Sequence, residues 1–130
     1  MDNSNTVDKL LLQVLSKLNT SSQEIQSSAV MSRDGLHVAS ILGEGVDQDR
    51  LGAMCASMLS LADKTAKELG RGELKQLLVN GEEGYLLLIK VGNEAVLTVV
   101  SRPHANLGKV LLEAKKTAAM IAKVLHVDML

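Results

Sequence analysis

Side chains that could perform chemistry are few in this sequence and lie far apart. His37, His104 and His126 are widely separated in the chain, and Cys55 is the only soft ligand that could join them. Structural zinc sites take their ligands from closely spaced Cys and His residues, and no such spacing occurs here. We therefore expect no metal site and no cofactor, and we interpret Cys55 as an inert thiol on the apolar side of a helix.

The glycines do not support a nucleotide site. A phosphate-binding loop requires the pattern G-x-x-x-x-G-K-[ST], whereas the segment Leu107-Gly108-Lys109-Val110 lacks the earlier glycine and the hydroxyl. The pairs Gly43/Gly45 and Gly70/Gly72 flank a predicted helix, and helix punctuation explains them. No arrangement of Ser, His and Asp can be argued from spacing, so we predict no catalytic residues and no enzyme.

The composition predicts one soluble domain without a nucleic-acid or membrane signature. The chain has 130 residues, of which 14 are basic and 15 acidic, for a net charge of −1. Tyr85 is the only aromatic residue, so stacking platforms for bases are missing. No apolar stretch approaches the ~20 residues of a membrane span, and the start, Met1 to Asn5, does not resemble a secretory signal. We expect a cytoplasmic protein that neither binds nucleic acid nor inserts into a membrane.

The clearest structural signal is the segment from Gly84 to Ser101. Two apolar runs rich in Val, Ile and Leu flank Gly92-Asn93, a pair suited to a two-residue hairpin turn. Neither run alternates apolar with polar residues, so both faces of the strands must be buried. We predict the central hairpin of a sheet, with helices covering each face.

Helical periodicity predicts three amphipathic helices around this hairpin. They run from Thr6 to about Asn19, from about Gln48 to Leu69, and from about Asn106 to Leu125. Asn5 or Thr6 is the expected N-cap of the first helix, and Asp47 that of the second.

Three further strands are predicted: Ile25 to Ser32, Leu36 to Leu42 and Glu73 to Asn80. Arg33-Asp34-Gly35 supplies the turn chemistry between the first two. Their Ser and Gln content predicts less burial than in the central hairpin and a position nearer a sheet edge. The mixed pattern of the third suits an edge that could pair further.

The predicted fold class is α+β: a five-stranded antiparallel sheet with two helices on one face and one on the other, in the order αββαβββα. Residues 6–126 are predicted to form this single domain, between a disordered N terminus, residues 1–5, and a short C-terminal tail, residues 127–130. Such a sheet is about 20 to 24 Å wide, whereas a helix covers about 10 Å. One helix cannot cover a whole face, so an apolar strip beside the second helix should be left for a second copy or another protein.

The second predicted helix carries two different stripes. The stripe predicted to lie on the sheet is large and apolar: Leu51, Met54, Cys55, Met58, Leu61, Ala62, Thr65 and Leu69. On another face, small residues recur at helical spacing, and we call them the small stripe: Ala53, Ala56, Ser57 and Ser60. Small residues let another helix backbone come close, a rule best attested in membranes. The alternative is a partly exposed face that happens to be small.

With these elements in place, the chain resembles the Roadblock family from about Val7 to Leu125. The resemblance rests on segments taken in order: Ser32 to Ser40, Glu68 to Glu73, Leu77-Leu78-Val79, Gly84-Tyr85 and Ala105 to Val110. It implies a small, non-enzymatic adaptor or regulator that forms a homodimer and binds a Ras-like small GTPase, as in the bacterial regulator MglB and the dynein roadblock light chain. Family dimers pair through the second helix and the third strand. Carried over, this places the dimer or partner interface at Ala53, Ala56, Ser57, Ser60, Lys64, Glu73, Lys75, Leu77 and Val79.

An arginine could contribute to a GTPase partner, because activators can insert one to stabilise charge on the transferring phosphoryl group. Arg71, between two glycines, is the best-placed possible GTPase contact, with Arg33 and Arg102 behind it. A solvated turn residue is the alternative for all three, and resemblance to MglB favours that alternative because MglB positions its partner's own catalytic residues.

Two other functions stay open. One is a scaffold subunit that holds proteins together without regard to nucleotide, which the sequence does not separate from a regulator. The other is a small-molecule sensor domain, which would require a pocket with convergent polar groups, and the apolar strands offer few.

Overall fold

The computed structural model describes residues 3–127, with side chains from Thr6 onward. The elements along the chain are α1 (Asn3–Ser21), β1 (Ile25–Ser32), β2 (His37–Ile41), α2 (Gln48–Glu68), β3 (Gln76–Gly81), β4 (Gly84–Val91), β5 (Ala95–Ser101) and α3 (Leu107–Leu125). The strands form one antiparallel sheet in the order β2-β1-β5-β4-β3. α1 and α3 pack on one face and α2 on the other, so the predicted fold class is confirmed. The predicted domain bounds stay a prediction, because residues 1, 2 and 128–130 of their terminal segments lie outside the described residues.

Capping chemistry sets the helix starts, with one exception. The side chain of Asp47 accepts a hydrogen bond of 3.0 Å from a first-turn N–H of α2, as predicted. The side chain of Asn106 accepts one of 3.1 Å at the start of α3. α1 begins earlier than predicted, at Asn3, so Asn5 and Thr6 lie inside the helix and their predicted role as caps is wrong. Extending a formed helix adds one backbone hydrogen bond per residue, which here outweighs the capping preference of polar residues.

The face that carries α1 and α3 contains the larger core. Leu11 and Leu15 of α1, Val110 and Ile121 of α3, and Leu97 of β5 are fully buried. Alternate residues of β4 and β5 point to this face, and the others point towards α2. Because both sets are buried, neither strand alternates apolar with polar residues.

Strand β1 lies between β2 and β5, so the hairpin of β1 and β2 occupies one side of the sheet near its edge, as predicted, but the low burial predicted for β1 is wrong. Its serines are buried because each has a hydrogen-bond partner. Ser27 Oγ accepts a bond of 2.7 Å from the N–H of Gly43, and Ser28 Oγ donates a bond of 2.6 Å to Asn19 Oδ1 of α1. Buried polar groups are tolerated when they are paired in this way. The edge strand of this hairpin is β2.

The central hairpin of β4 and β5 is confirmed, but its turn has three residues instead of two. Val91 pairs with Ala95, which leaves Gly92, Asn93 and Glu94 in the turn. Of these three, Gly92 alone has a positive φ, 65°, so the two-residue geometry that needs positive φ at both positions does not form.

Helix α2 contacts the sheet through a narrower stripe than predicted. The large side chains that it buries are Leu51 and Cys55, which belong to the predicted stripe, and Leu59, which the predicted stripe omits. Four members of the predicted stripe are instead exposed, namely Thr65 and three large apolar residues with exposed fractions of 49%, 68% and 64%: Met54, Leu61 and Leu69. Their predicted place on the sheet is therefore wrong.

A close backbone contact sets this rotation of α2. Gly52 lies against Gly35 in the turn between β1 and β2, and a Cβ built on either residue would overlap the carbonyl of the other. Gly35 also has a φ of 86°, which favours glycine. Because the Gly52 side of α2 is held against the turn, Leu59 faces the sheet and Met54 lies on the opposite flank.

Candidate interaction surface

Strand β3 is an edge strand with apolar side chains on both faces. It pairs only with β4 in the part of the chain that the structure describes, so the outer row of its backbone N–H and C=O groups has no strand partner there. Leu78, paired with the inward-facing Leu87 on the α3 side, is 37% exposed, and Val79, on the α2 side, is 39% exposed. An edge of this kind is a template for pairing with another strand.

Beside β3, one flank of α2 is apolar and uncovered. At about 100° per residue, Met54, Met58 and Leu61 lie on the flank opposite Gly52, and we call them the apolar flank. Met58 is half-buried against the core under α2, whereas the other two are exposed. Val79 is exposed on the same side of the sheet, where sheet width predicts an uncovered apolar strip beside α2.

The small stripe lies towards the other flank of α2 and borders a groove of about 720 Å³. Ala56, Ser57 and Ser60 line this groove together with Lys64, whereas Ala53 is exposed outside it. Further lining residues come from the two turns at this end of the sheet and from the strands beside them: Arg33, Asp34, Lys90, Asn93, Leu74, Ala95 and Val96. From α2, Leu59, Leu61 and Asp63 complete the lining.

An ion pair fixes the C-terminal half of α2 at the edge of the groove. Asp63 Oδ2 lies 3.1 Å from Lys67 Nζ, which is also 3.9 Å from Glu73 Oε1. The hydrogen bond from Lys67 lowers the pKa of Asp63 below its ordinary value, and the same bond raises the pKa of Lys67. Asp63 Oδ1 is buried without a hydrogen bond in the described residues, and the nearby N–H of Leu74 also lowers the Asp63 pKa. The pair therefore connects α2 to the segment that enters β3.

The other predicted interface residues fall in and before β3. Leu77 and Val79 lie in the strand, and Glu73 and Lys75 precede it. Leu77 and Val79 therefore lie in an edge strand, as predicted, whereas the predicted strand start at Glu73 is wrong because β3 begins at Gln76. Whether a partner contacts them stays a prediction.

Arg71 does not line the groove. Its Nε donates a hydrogen bond of 3.0 Å to the carbonyl of Leu69, so the side chain folds back onto the end of α2. Arg33, the second arginine candidate, does line the groove. Arg102 is exposed outside it.

Cys55 is fully buried beneath α2, and this burial raises the pKa of its thiol. A buried thiol with a raised pKa is unreactive. Among the described residues, no three side chains of His, Cys, Asp or Glu are placed to hold a metal ion. No helix in residues 3–127 is long and apolar enough to span a membrane.

Sequence reasoning missed the groove because its walls come from distant segments. The N–H of Arg33 donates a hydrogen bond of 3.0 Å to the carbonyl of Glu94, which joins the β1–β2 turn to the β4–β5 turn. That contact brings Arg33, Lys90 and Asn93 to one place. The sequence predicts both hairpins, but they indicate the groove only when the pairing of β1 with β5 is also known.

The fold and this surface describe a small protein-interaction domain: a sheet covered fully on one face, and left with an open edge and an uncovered apolar flank on the other. The Roadblock/LC7 domain model matches residues 11–101. The chain therefore belongs to the Roadblock/LC7 family, whose members are regulatory or adaptor proteins and not enzymes.

Relatives and solved structures agree with that assignment. A protein of Methanocaldococcus jannaschii is 34% identical over 115 residues, which cover 88% of this chain and 96% of that protein. The gliding protein MglB of Thermus thermophilus has a TM-score of 0.80 at 22% identity, over 91% of this chain and 90% of that one. An MglB structure with a tetrameric arrangement has a TM-score of 0.81 at 24% identity, over 91% and 89% of the two chains. At these identities the structural matches establish the fold.

Proposed function

We propose that this protein is a homodimeric, non-enzymatic regulator or adaptor of the cytoplasm that binds a Ras-like small GTPase and biases its nucleotide state. The observation that carries the proposal is the uncovered strip formed by β3 and the apolar flank of α2. Membership of the Roadblock/LC7 family supplies the regulatory or adaptor role. The fold that the chain shares with MglB is compatible with this role.

Pairing of β3 with β3 of a second copy would satisfy the open edge. It would continue one sheet across both subunits and bury Leu78 and Val79, which are now 37% and 39% exposed. The apolar flank of α2 would be covered in the same step, since it lies on the face that Val79 shares. Stable interfaces bury about 1,200 to 2,000 Å² in total, and the proposed dimer would draw this area from an edge strand and about two turns of helix flank in each copy.

The small stripe and Lys64 form the rest of the proposed interface, as a contact with the second α2 or with the GTPase. Ser60 is exposed and Ala56 half-buried, so a neighbouring backbone could approach both closely. Arg71 remains a possible GTPase contact, although its hydrogen bond to Leu69 must break before the guanidinium can reach a phosphate. Positioning of the GTPase's own residues requires no such change.

The experiment that tests the GTPase proposal is a pull-down from native lysate with tagged protein, in the presence of a GTP analogue or of GDP. We expect a Ras-like GTPase to be retained in one nucleotide state, with single-turnover hydrolysis altered by the purified protein. A Val79→Lys variant tests whether capture depends on the dimer, and we expect it to keep the monomer fold because Val79 is an exposed edge residue. Retention of the same partners in both nucleotide states would instead support a nucleotide-independent scaffold subunit.

The groove is the specific observation that favours a small-molecule sensor as a second candidate. Its volume of about 720 Å³ lies within the range of ligand sites. However, such sites enclose most of the ligand, whereas Arg33, Asp34 and Lys64 are exposed at the rim of this groove. The groove therefore suits a segment of a larger partner better than an enclosed ligand.

A further inference from the structure

We propose that the groove beside the small stripe binds an acidic segment of a protein partner, with one apolar side chain of that segment seated on the groove floor. This inference rests on the proposed adaptor function and names the chemistry that the adaptor recognises. It assigns the contact to the flank of α2 that faces the two turns and not to β3, and of the apolar flank only Leu61 lines this groove.

The charges of the groove favour an acidic occupant. Three cationic side chains line it, those of Arg33, Lys64 and Lys90. Within the part of the chain that the structure describes, ion pairs involve only Lys67, so none of the three has a carboxylate partner. Of the two carboxylates in the lining, Asp63 is paired with Lys67 and only Asp34 is free. The groove is therefore locally cationic on a chain whose net charge is −1.

The floor favours an apolar side chain at the centre of the segment. The apolar side chains of its lining on the α2 side of the sheet are Leu59, Leu74 and Val96. Leu74 packs against the core under α2 but is only half-buried, so a partner could bury the rest of its apolar surface. A carboxylate-flanked leucine would place its charges at the cationic rim and its methyl groups on this floor.

Contacts within the chain hold the walls of the groove in place. The close contact of Gly35 with Gly52 fixes one turn against α2, and the hydrogen bond from Arg33 to Glu94 fixes the second turn to the first. A preformed groove needs little ordering on binding, which favours recognition of a short segment.

The test uses the full chain labelled with ¹⁵N and a synthetic peptide, Glu-Asp-Leu-Asp-Glu, with blocked ends. We expect amide shifts centred on Ser60, Asn93 and Ala95, and weaker binding at high salt. The neutral peptide Gln-Asn-Leu-Asn-Gln should bind about tenfold more weakly, and replacing Leu with Gly should weaken binding about threefold to tenfold.

Charge reversal on the protein gives the matched comparison. The double variant Lys64→Glu/Lys90→Glu should bind the acidic peptide about tenfold more weakly. The control double variant Lys109→Glu/Lys116→Glu makes the same change in net charge, but on α3 and outside the groove. Its affinity for the acidic peptide should stay within about twofold of that of the unchanged protein. Thermal unfolding of both double variants confirms that the fold is retained.

Three results would overturn the proposal: no shifts in the groove, equal affinity for the neutral peptide, or equal loss in the two double variants. Light scattering and the GTPase pull-down are read separately. If the protein binds the peptide but is a monomer, or binds the peptide but captures no GTPase, this inference is supported and the proposed function is wrong. GTPase capture without peptide binding would do the opposite.

Discussion

The two faces of the sheet are built from similar strands but are covered to different extents. On the α1 and α3 face, two helices bury side chains such as Leu15 and Ile121 completely. On the α2 face, one helix buries Leu51, Cys55 and Leu59 and leaves its own apolar flank exposed. The strands β4 and β5 are apolar on both sides, so the difference arises from the number of covering helices. The well-covered face stabilises the monomer, and the other face is available for association.

The largest expected effect comes from truncating the well-covered face. Leu97→Ala removes a fully buried side chain from β5 and should lower the free energy of unfolding by about 2 to 5 kcal/mol, because a cavity remains. Leu61→Ala removes a side chain that is 68% exposed and should lower monomer stability by less than about 0.5 kcal/mol. Denaturant unfolding at a protein concentration low enough to give monomers measures both. Similar losses for the two variants would contradict the comparison of the faces.

The next effect concerns association through β3. Val79→Lys places a charge on the exposed edge and should convert dimers to monomers while the unfolding transition of the monomer is kept. His37→Lys is the matched control, because it adds the same side chain to β2, the edge strand at the other side of the sheet. Light scattering measures the mass of each variant. Loss of dimers in both variants, or in neither, would place the contact elsewhere.

A smaller effect distinguishes the two flanks of α2. Ser60→Leu enlarges the small stripe at an exposed position, and overpacking a close helix contact typically costs about 1 to 3 kcal/mol. We expect weaker dimers by light scattering if the stripe meets the second α2, as the family resemblance implies. Gln13→Leu, an equal change of an exposed residue on α1, should leave the mass unchanged. Dimers of full strength together with lost GTPase capture would assign the stripe to the partner.

The sequence predicts the local features of this structure better than the long-range ones. The element order, the central hairpin, the Asp47 cap and the edge position of β3 follow from periodicity and turn chemistry, which are local. The burial of β1 was mispredicted because Ser27 and Ser28 find partners in Gly43 and Asn19, and those pairings exist only once the chain is folded.

The rotation of α2 shows the same limit at the candidate site. Periodicity indicates that α2 is amphipathic, but its apolar arc from Met54 to Leu69 is wider than the strip that a sheet can cover. The choice within that arc depends on Gly52 meeting Gly35, a contact between residues of unrelated segments. The groove depends on a second such contact, from Arg33 to Glu94. The sequence therefore predicts that α2 has a free flank, but not which residues lie on it.

The smallest expected effect is on the pH dependence of stability, through the carboxylate of Asp63 on the α2 face. The folded-state pKa of Asp63 is lowered, mainly by its hydrogen bond from Lys67. A lowered pKa stabilises the folded state above the ordinary value of an aspartate, about 3.9, and this contribution is lost as the pH falls through the folded-state pKa. Asp63→Asn removes that contribution, so the melting temperature should fall slightly at neutral pH.

The decrease should be modest, because the Lys67 side chain is 54% exposed and salt screens the pair. We expect the melting curves of the two proteins to converge as the pH falls through the lowered pKa of Asp63, and to approach each other in high salt. Asp8→Asn, at an exposed carboxylate of α1 that forms no ion pair in the described residues, is the control and should show no convergence with pH. If the Asp63 and Asp8 variants instead respond alike, the ion pair does not hold α2 against the segment that enters β3, and the edge must be positioned by the hydrogen bonds of β4 alone.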